Sequence, residues 1–139
     1  MGQQQLLLII LGVIIVGIAL AVGITLFTDS AQSSNRDAVS SELIQLAARA
    51  QQHYRRPALL GGGQGAFDDS KGGTGLTDIR QLSTRPSNAN GSYELGTVDP
   101  NQMEIDGTGT EIGLDGTNKV FVKILVWADS TKIDQSTLN

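Results

Sequence analysis

LLLIILGVIIVGIALAVGITLF, residues 6–27, decides the fold. As an α-helix this run of about 22 residues spans about 33 Å, the thickness of a bilayer core. Roughly sixteen of its side chains are Leu, Ile, Val or Phe, and leaving each in water costs about 1.5–3 kcal/mol. The total, about 25–50 kcal/mol, exceeds the whole stability of a typical domain. The segment must therefore lie in lipid or inside a bundle of its own kind.

No Asp, Glu, Lys or Arg precedes Asp29, so every charged side chain of this 139-residue protein falls at or beyond that position. The charged part reads as one modest water-soluble domain. The net charge is -4 and the basic residues are scattered, which argues against a nucleic-acid partner. The chain has no cysteine, so disulfides and thiolate metal sites are excluded and the compartment must be read from the N-terminal run.

Three readings of that run compete. A cleaved secretory signal has a basic start and a shorter apolar core. Here nothing basic precedes the run, and Asp29-Ser30-Ala31 is a poor cleavage site, so the segment is expected to be retained. A plain membrane anchor satisfies the length alone. A filament-core helix is the third reading, and the small residues Gly12, Gly17, Ala19, Ala21 and Gly23 favour it, because they let helices approach closely where lipid supplies no hydrophobic drive. Glycine is also common in ordinary membrane helices. Gln3, Gln4 and Gln5 form an uncharged polar cluster that needs hydrogen-bond partners, either from neighbouring helices or from water at a membrane surface.

Thr28 to Asp37 holds no Pro or Gly, so the helix can run through it; Ser34 or Asn35 could equally cap a fresh helix. Beyond it Val39, Leu43, Leu46, Ala47, Ala50 and Tyr54 recur at helical spacing, and Pro57 sets the stop. A continuous helix from residue 2 to 56 would be about 80 Å long. Residues 58–91 are rich in Gly, Ser and Asn and read as a long loop with one short helical turn near Thr77 to Leu82. Strands are expected at Ser92 to Asp99, Asn101 to Asp106 and Lys119 to Ala128. Between the last two, Asp106 to Asn118 reads as a glycine-rich turn region with at most a short strand at Thr110 to Leu114. Val120, Val122, Ile124 and Val126 should pack on the amphipathic helix. Phe121, Leu125 and Trp127, on an unusually apolar opposite face, are candidate subunit contacts, together with Arg49 and Tyr54.

The expected architecture is α+β: a long N-terminal helix, apolar then amphipathic, packed against a small antiparallel sheet. Its parts are the apolar helix (1–28), the amphipathic continuation (29–57), the Gly-rich loop (58–91) and the sheet of the head (92–139). In this layout, carried by Leu6–Phe27 and by DAVSSELIQLAARAQQHY at residues 37–54, the chain resembles the type IV pilins and pseudopilins. The resemblance implies a cytoplasmic-membrane precursor, partnership with a pilus assembly machinery, and polymerisation of identical subunits into an extracellular filament at the cell surface. It places Gln5, Leu8, Leu11, Gly12, Ile15, Gly17, Ala19, Gly23 and Phe27 in the polymerisation core. The alternatives are a pseudopilin of a type II secretion-like system and a monomeric membrane-anchored binding module. Gln5 stands where mature members often carry Glu, and it cannot neutralise a neighbour's terminal amine. The apolar run has no kinking Pro, no Cys pair closes a C-terminal loop, and only Met1-Gly2 precedes the glutamines, so processing by the usual peptidase is not expected.

Catalysis has little material. His53 is the only histidine, which rules out a histidine metal cluster, and an ordinary contact role is expected of it. Gly61 to Ala66 (GGGQGA) follows a helix end and lacks the Lys-Ser/Thr of a phosphate loop. No enzymatic activity and no cofactor are expected. Asp106, Glu111, Asp115 and Asn118 are weak calcium candidates whose spacing does not match an EF-hand. Asn90-Gly91-Ser92 is a glycosylation pattern and also a turn signal, the turn being preferred. Arg49, Arg55 and Arg56 could pair with Asp68, Asp69 or another subunit's acids, each exposed pair being worth under about 1 kcal/mol.

Overall fold

The structure, a computed structural model, describes residues 1–134; the expected head extends to 139, and its last five positions lie outside the described residues. A single helix, α1, runs from Gly2 to Arg55. Its continuity through the polar stretch 28–37 follows from the absence of Gly and Pro there. Asn35 starts no new helix; it is a buried residue of α1. The helix stops where expected: Arg56 is extended (φ -75°, ψ 137°), the conformation that a following proline imposes.

Among the described residues, four antiparallel strands complete the head, in spatial order β1-β2-β3-β4: β1 Gly91–Val98, β2 Gln102–Ile112, β3 Lys119–Trp127 and β4 Thr131–Asp134. Helix α1 packs against β2 and β3. Asn35, Val39, Leu43, Leu46, Ala47 and Ala50 form its buried stripe, a spacing of three and four residues that keeps one face toward the sheet. Met103, Ile105, Val120, Val122, Ile124 and Val126 meet it from the strands, alternating with half-exposed neighbours as the pleat requires. Ile124 and Ile133 are registered across β3 and β4, which brings the last strand into the same layer.

Two departures concern the strands. Residues 106–112 belong to β2 and are not a turn region. The glycines that suggested a turn occupy inward-facing positions of the strand, where side chains would collide with the helix. A Cβ on Gly107 would come within 2.7 Å of Val39 Cγ1, and one on Gly109 would overlap the Asn35 amide oxygen. Glycine here serves close approach of helix to sheet. Strand β4 was not expected. It is four residues long, and its central pair, Lys132 and Ile133, carries too little alternation to announce a strand.

The loop between helix and sheet is ordered around a small core of its own. Phe67, Leu76, Ile79 and Leu82 are buried and continuous with the main core, and the Phe67 ring lies 4.8 Å from that of Tyr54. The expected helical turn is a 3₁₀ turn at Ile79–Gln81, closed by an Asp78/Gln81 capping box. The loop returns over the end of α1, whose last carbonyls need partners. Gly63 N–H donates to His53 O (2.9 Å), Gly65 N–H to Tyr54 O (2.7 Å) and Gln64 N–H to Arg56 O (3.0 Å).

Candidate polymerisation surface

From Gly2 to Ser30 every residue of α1 is exposed, and none of its apolar stretch is covered by the head. The helix is long and apolar enough to cross a membrane. Gln5, Leu8, Leu11, Gly12, Ile15, Gly17, Ala19, Gly23 and Phe27 therefore lie on one continuous, unpartnered rod. At about 100° per residue, Gln5, Gly12, Ala19 and Gly23 fall within a sector of about 40°, whereas Gly17 and Ala21 lie well around the helix from it. The stripe that carries the head is centred roughly opposite that sector, by the same rotation of about 100° per residue from Gly12 to Leu43. Gly12, Ala19 and Gly23, with Gln5 in line with them, thus face away from the head, while Gly17 and Ala21 lie toward its side.

The head is fixed to α1 by polar contacts that bracket the apolar seam. Near the start of the seam, the Asn35 amide donates to Asn90 O (2.8 Å) and its oxygen accepts from Thr110 N–H (3.1 Å) and Glu111 N–H (3.3 Å). Two turns on, the Glu42 carboxylate accepts from the side-chain amides of Asn88 (2.5 Å) and Asn90 (2.6 Å). Burial raises its pKa, but these amide bonds outweigh it and hold the carboxyl below its ordinary value. The Tyr93 hydroxyl is buried facing this carboxylate without a hydrogen bond of good geometry, and burial together with the Glu42 charge pushes its ionisation well up. At the far end, Gln51 donates to Trp127 O (3.0 Å) and Arg55 to Ala128 O (3.0 Å).

Several of these partners differ from expectation. Arg49 donates to Leu82 O (2.8 Å) and Arg55 to Ala128 O, so within the subunit both hold its own loops and not Asp68 or Asp69, the intramolecular acids considered for them beside another subunit's. The folded loop brings carbonyls to the helix flank before it brings carboxylates. His53 Nε2 lies 2.6 Å from Thr74 O; a carbonyl only accepts, so this nitrogen carries a proton. Tyr54 is half-buried against Phe67. The side-chain nitrogen of Asn90 is engaged by Glu42, which makes it a poor acceptor for a glycan.

The outer face of the sheet carries Phe121, Leu125 and Trp127, all half-buried. They are interleaved with charge: Lys123 pairs with Glu104 (3.2 Å) and lies 3.8 Å from Asp106. Burial pushes the Asp106 carboxyl up, and Lys123 offsets only part of that shift.

The four calcium candidates do not converge on one site; of them only Asp115 and Asn118 have side chains in contact. Asp106 sits within β2 opposite Lys123, whereas Asp115 closes the β2–β3 turn by accepting from the backbone N–H of Thr117 and Asn118 and from the Asn118 amide. The backbone of Glu111 is held by Asn35. Among the described residues no group of three His, Cys, Asp or Glu side chains could hold a metal ion. Sequence reasoning missed Asn35 and Glu42 as anchors. Asn35 had a readable signal, since it extends the stripe of Val39 and Leu43 by one further step of four residues. Comparisons with protein-family models, with curated protein sequences and with solved structures give no significant match.

Proposed function

We propose that this chain is a non-enzymatic structural subunit of a type IV pilus-like filament, polymerising with identical copies through its N-terminal helix. The observation that carries the reading is the bare apolar stretch of α1, rigidly continuous with the helix that holds the head. A rod of this polarity needs lipid or like helices around it. In a filament the rods form the core and the heads the outside. The orientation supports that arrangement: the side of α1 bearing Gln5, Gly12, Ala19 and Gly23 points away from the head, toward where an axis would be.

Lipid tails are as apolar as leucine, so moving the rod from bilayer to bundle gains from close packing and polar pairing and not from the hydrophobic effect. Gln5 amides from adjacent helices can pair with one another in such a core. Extraction from the bilayer would call on an energy-driven assembly machinery in the cytoplasmic membrane. The subunit then resides in an extracellular filament at the cell surface.

Electron microscopy of material sheared from the cell surface, with the subunit mass measured on the same fraction, tests this. Long fibres containing this chain support the proposal. Fibres confined to the periplasm indicate a pseudopilin. Detergent-dispersed protein that stays monomeric, with no fibres anywhere, indicates an anchored binding module.

A further inference from the structure

Two apolar patches occupy opposite ends of the head. Leu59 and Leu60, in the 3₁₀ turn just past α1, are 100% and 70% exposed. Ile112 and Leu114, where β2 turns toward β3, are 57% and 69% exposed. Asn35 lies at the level of Thr110 and Glu111, and Arg55 at the level of Ala128. The patches are therefore separated by roughly the rise from residue 35 to 56, about 32 Å. The head's own core covers neither.

Their immediate surroundings carry opposite charge. Arg55 and Arg56 are exposed beside the first patch, where Asp129, next to the Ala128 carbonyl that Arg55 bonds, is the neighbouring carboxylate. Glu111 and Asp115 are exposed within the second, where Lys119, across from Ile112, is the neighbouring cation. We propose that the Leu59–Leu60 end of one head seats on the Ile112–Leu114 end of a second copy, so that heads stack end to end along the filament. This rests on the filament reading and specifies its outer contact.

A contact between two different patches of one chain is heterologous, and where its rotation does not close a ring it propagates into an open polymer. The lengths agree with that geometry. The bare apolar helix measures about 33 Å and the head-bearing part of α1 about 32 Å. A copy displaced by one head length thus lies alongside roughly residues 13–34 of the copy above, and covers from outside the part of its apolar run nearest the head. A bilayer surface could cover Ile112 and Leu114 before assembly, but it does not reach Leu59 and Leu60 at the far end. One contact between copies covers both, and brings arginines to carboxylates at its rim.

The chain has no cysteine, so the contact is open to cross-linking. Full-length chain carrying both Leu59→Cys and Leu114→Cys, oxidised within sheared filaments, gives a ladder of disulfide-linked multimers, while each single variant stays monomeric. A water-soluble maleimide labels each single variant in detergent-dispersed subunits, and that labelling is lost in filaments. Filaments that form but give no ladder, either with this pair or with Leu60→Cys plus Ile112→Cys, overturn the stacking and leave the filament reading intact. Equal maleimide labelling of dispersed and assembled subunits does the same. A wild-type chain that never forms filaments removes the filament reading itself, and the stacking with it.

Discussion

Asn35 and Gly109 face each other across the helix–sheet seam so closely that a Cβ on Gly109 would overlap the Asn35 amide oxygen. The space that glycine leaves admits an amide, and the amide bonds three backbone groups from two separate segments of the head. This is where the bare rod becomes the covered helix. With the apolar seam of Val39 to Ala50 beyond it, the contact marks which side of α1 the head covers.

Replacing Asn35 with Ala leaves the N–H groups of Thr110 and Glu111 and the carbonyl of Asn90 without this partner. Leaving such groups unpaired costs about 1–3 kcal/mol each where they are fully buried, so a loss of about 2 kcal/mol is expected for this partly buried set. Gly109→Val should cost about 1–3 kcal/mol by overpacking, with displacement of the helix. Urea unfolding of the full chain in detergent measures both. A change below about 0.5 kcal/mol, the ordinary surface effect, would show that the seam is not anchored here.

Phe67 is fully buried beneath the loop and touches Tyr54. Phe67→Ala is expected to cost about 3–5 kcal/mol, the usual range for a buried aromatic. It should also open the loop to protease while the sheet stays folded. Limited proteolysis with mass mapping reads this out; unchanged cleavage around residues 58–82 would mean that the loop is held by its backbone bonds alone.

Glu42 and Asp106 make stability depend on pH in opposite senses. The Glu42 carboxyl is held low in the folded state, so its contribution is present above the ordinary glutamate pKa and is lost as pH falls through the folded value. The Asp106 carboxyl is pushed up by burial, so its protonated form favours folding, and that benefit fades as pH rises through its folded pKa. Between about pH 3 and 6, unfolding of Glu42→Gln should lose the acid-side decline and that of Asp106→Asn the opposing one. Identical pH profiles for wild type and Glu42→Gln would contradict the assignment.

Much of the fold was legible in the sequence, for reasons tied to particular residues. The apolar run announced itself by composition, Pro57 fixed the end of the helix, and Val120 to Trp127 announced β3 by its density of β-branched and aromatic residues. Gly107 and Gly109 misled, because glycine has the same letter whether it turns a chain or makes room for a neighbour; only the packed helix distinguishes the two. The anchoring of Glu42 by Asn88 and Asn90 was illegible, since it joins residues far apart in sequence through a loop whose path no local pattern specifies. The exposed pair Leu59 and Leu60 was visible as letters, but its lack of cover was not.

On the rod, Gly12 and Gly17 both have open space around them in the single subunit. They differ in direction by about 140°, Gly12 facing away from the head and Gly17 lying toward its side. Gly12→Leu is expected to lower filament yield more than tenfold, the equivalent of about 1.4 kcal/mol per subunit contact, with membrane insertion unchanged. Gly17→Leu should have the smaller effect. Sheared-fraction immunoblotting against total membrane protein measures this, and normal yield from both variants would count against tight packing on that face.

The most direct measurement is a three-dimensional reconstruction, by electron cryomicroscopy, of fibres sheared from cells that produce this chain, with the subunit identified by mass. The expected map has a central bundle of α-helices about 80 Å long, each continuous into a peripheral four-stranded head, with residues 6–27 packed against sister copies. A native preparation in which that segment is surrounded only by lipid, with no sister helix beside it, would contradict the account.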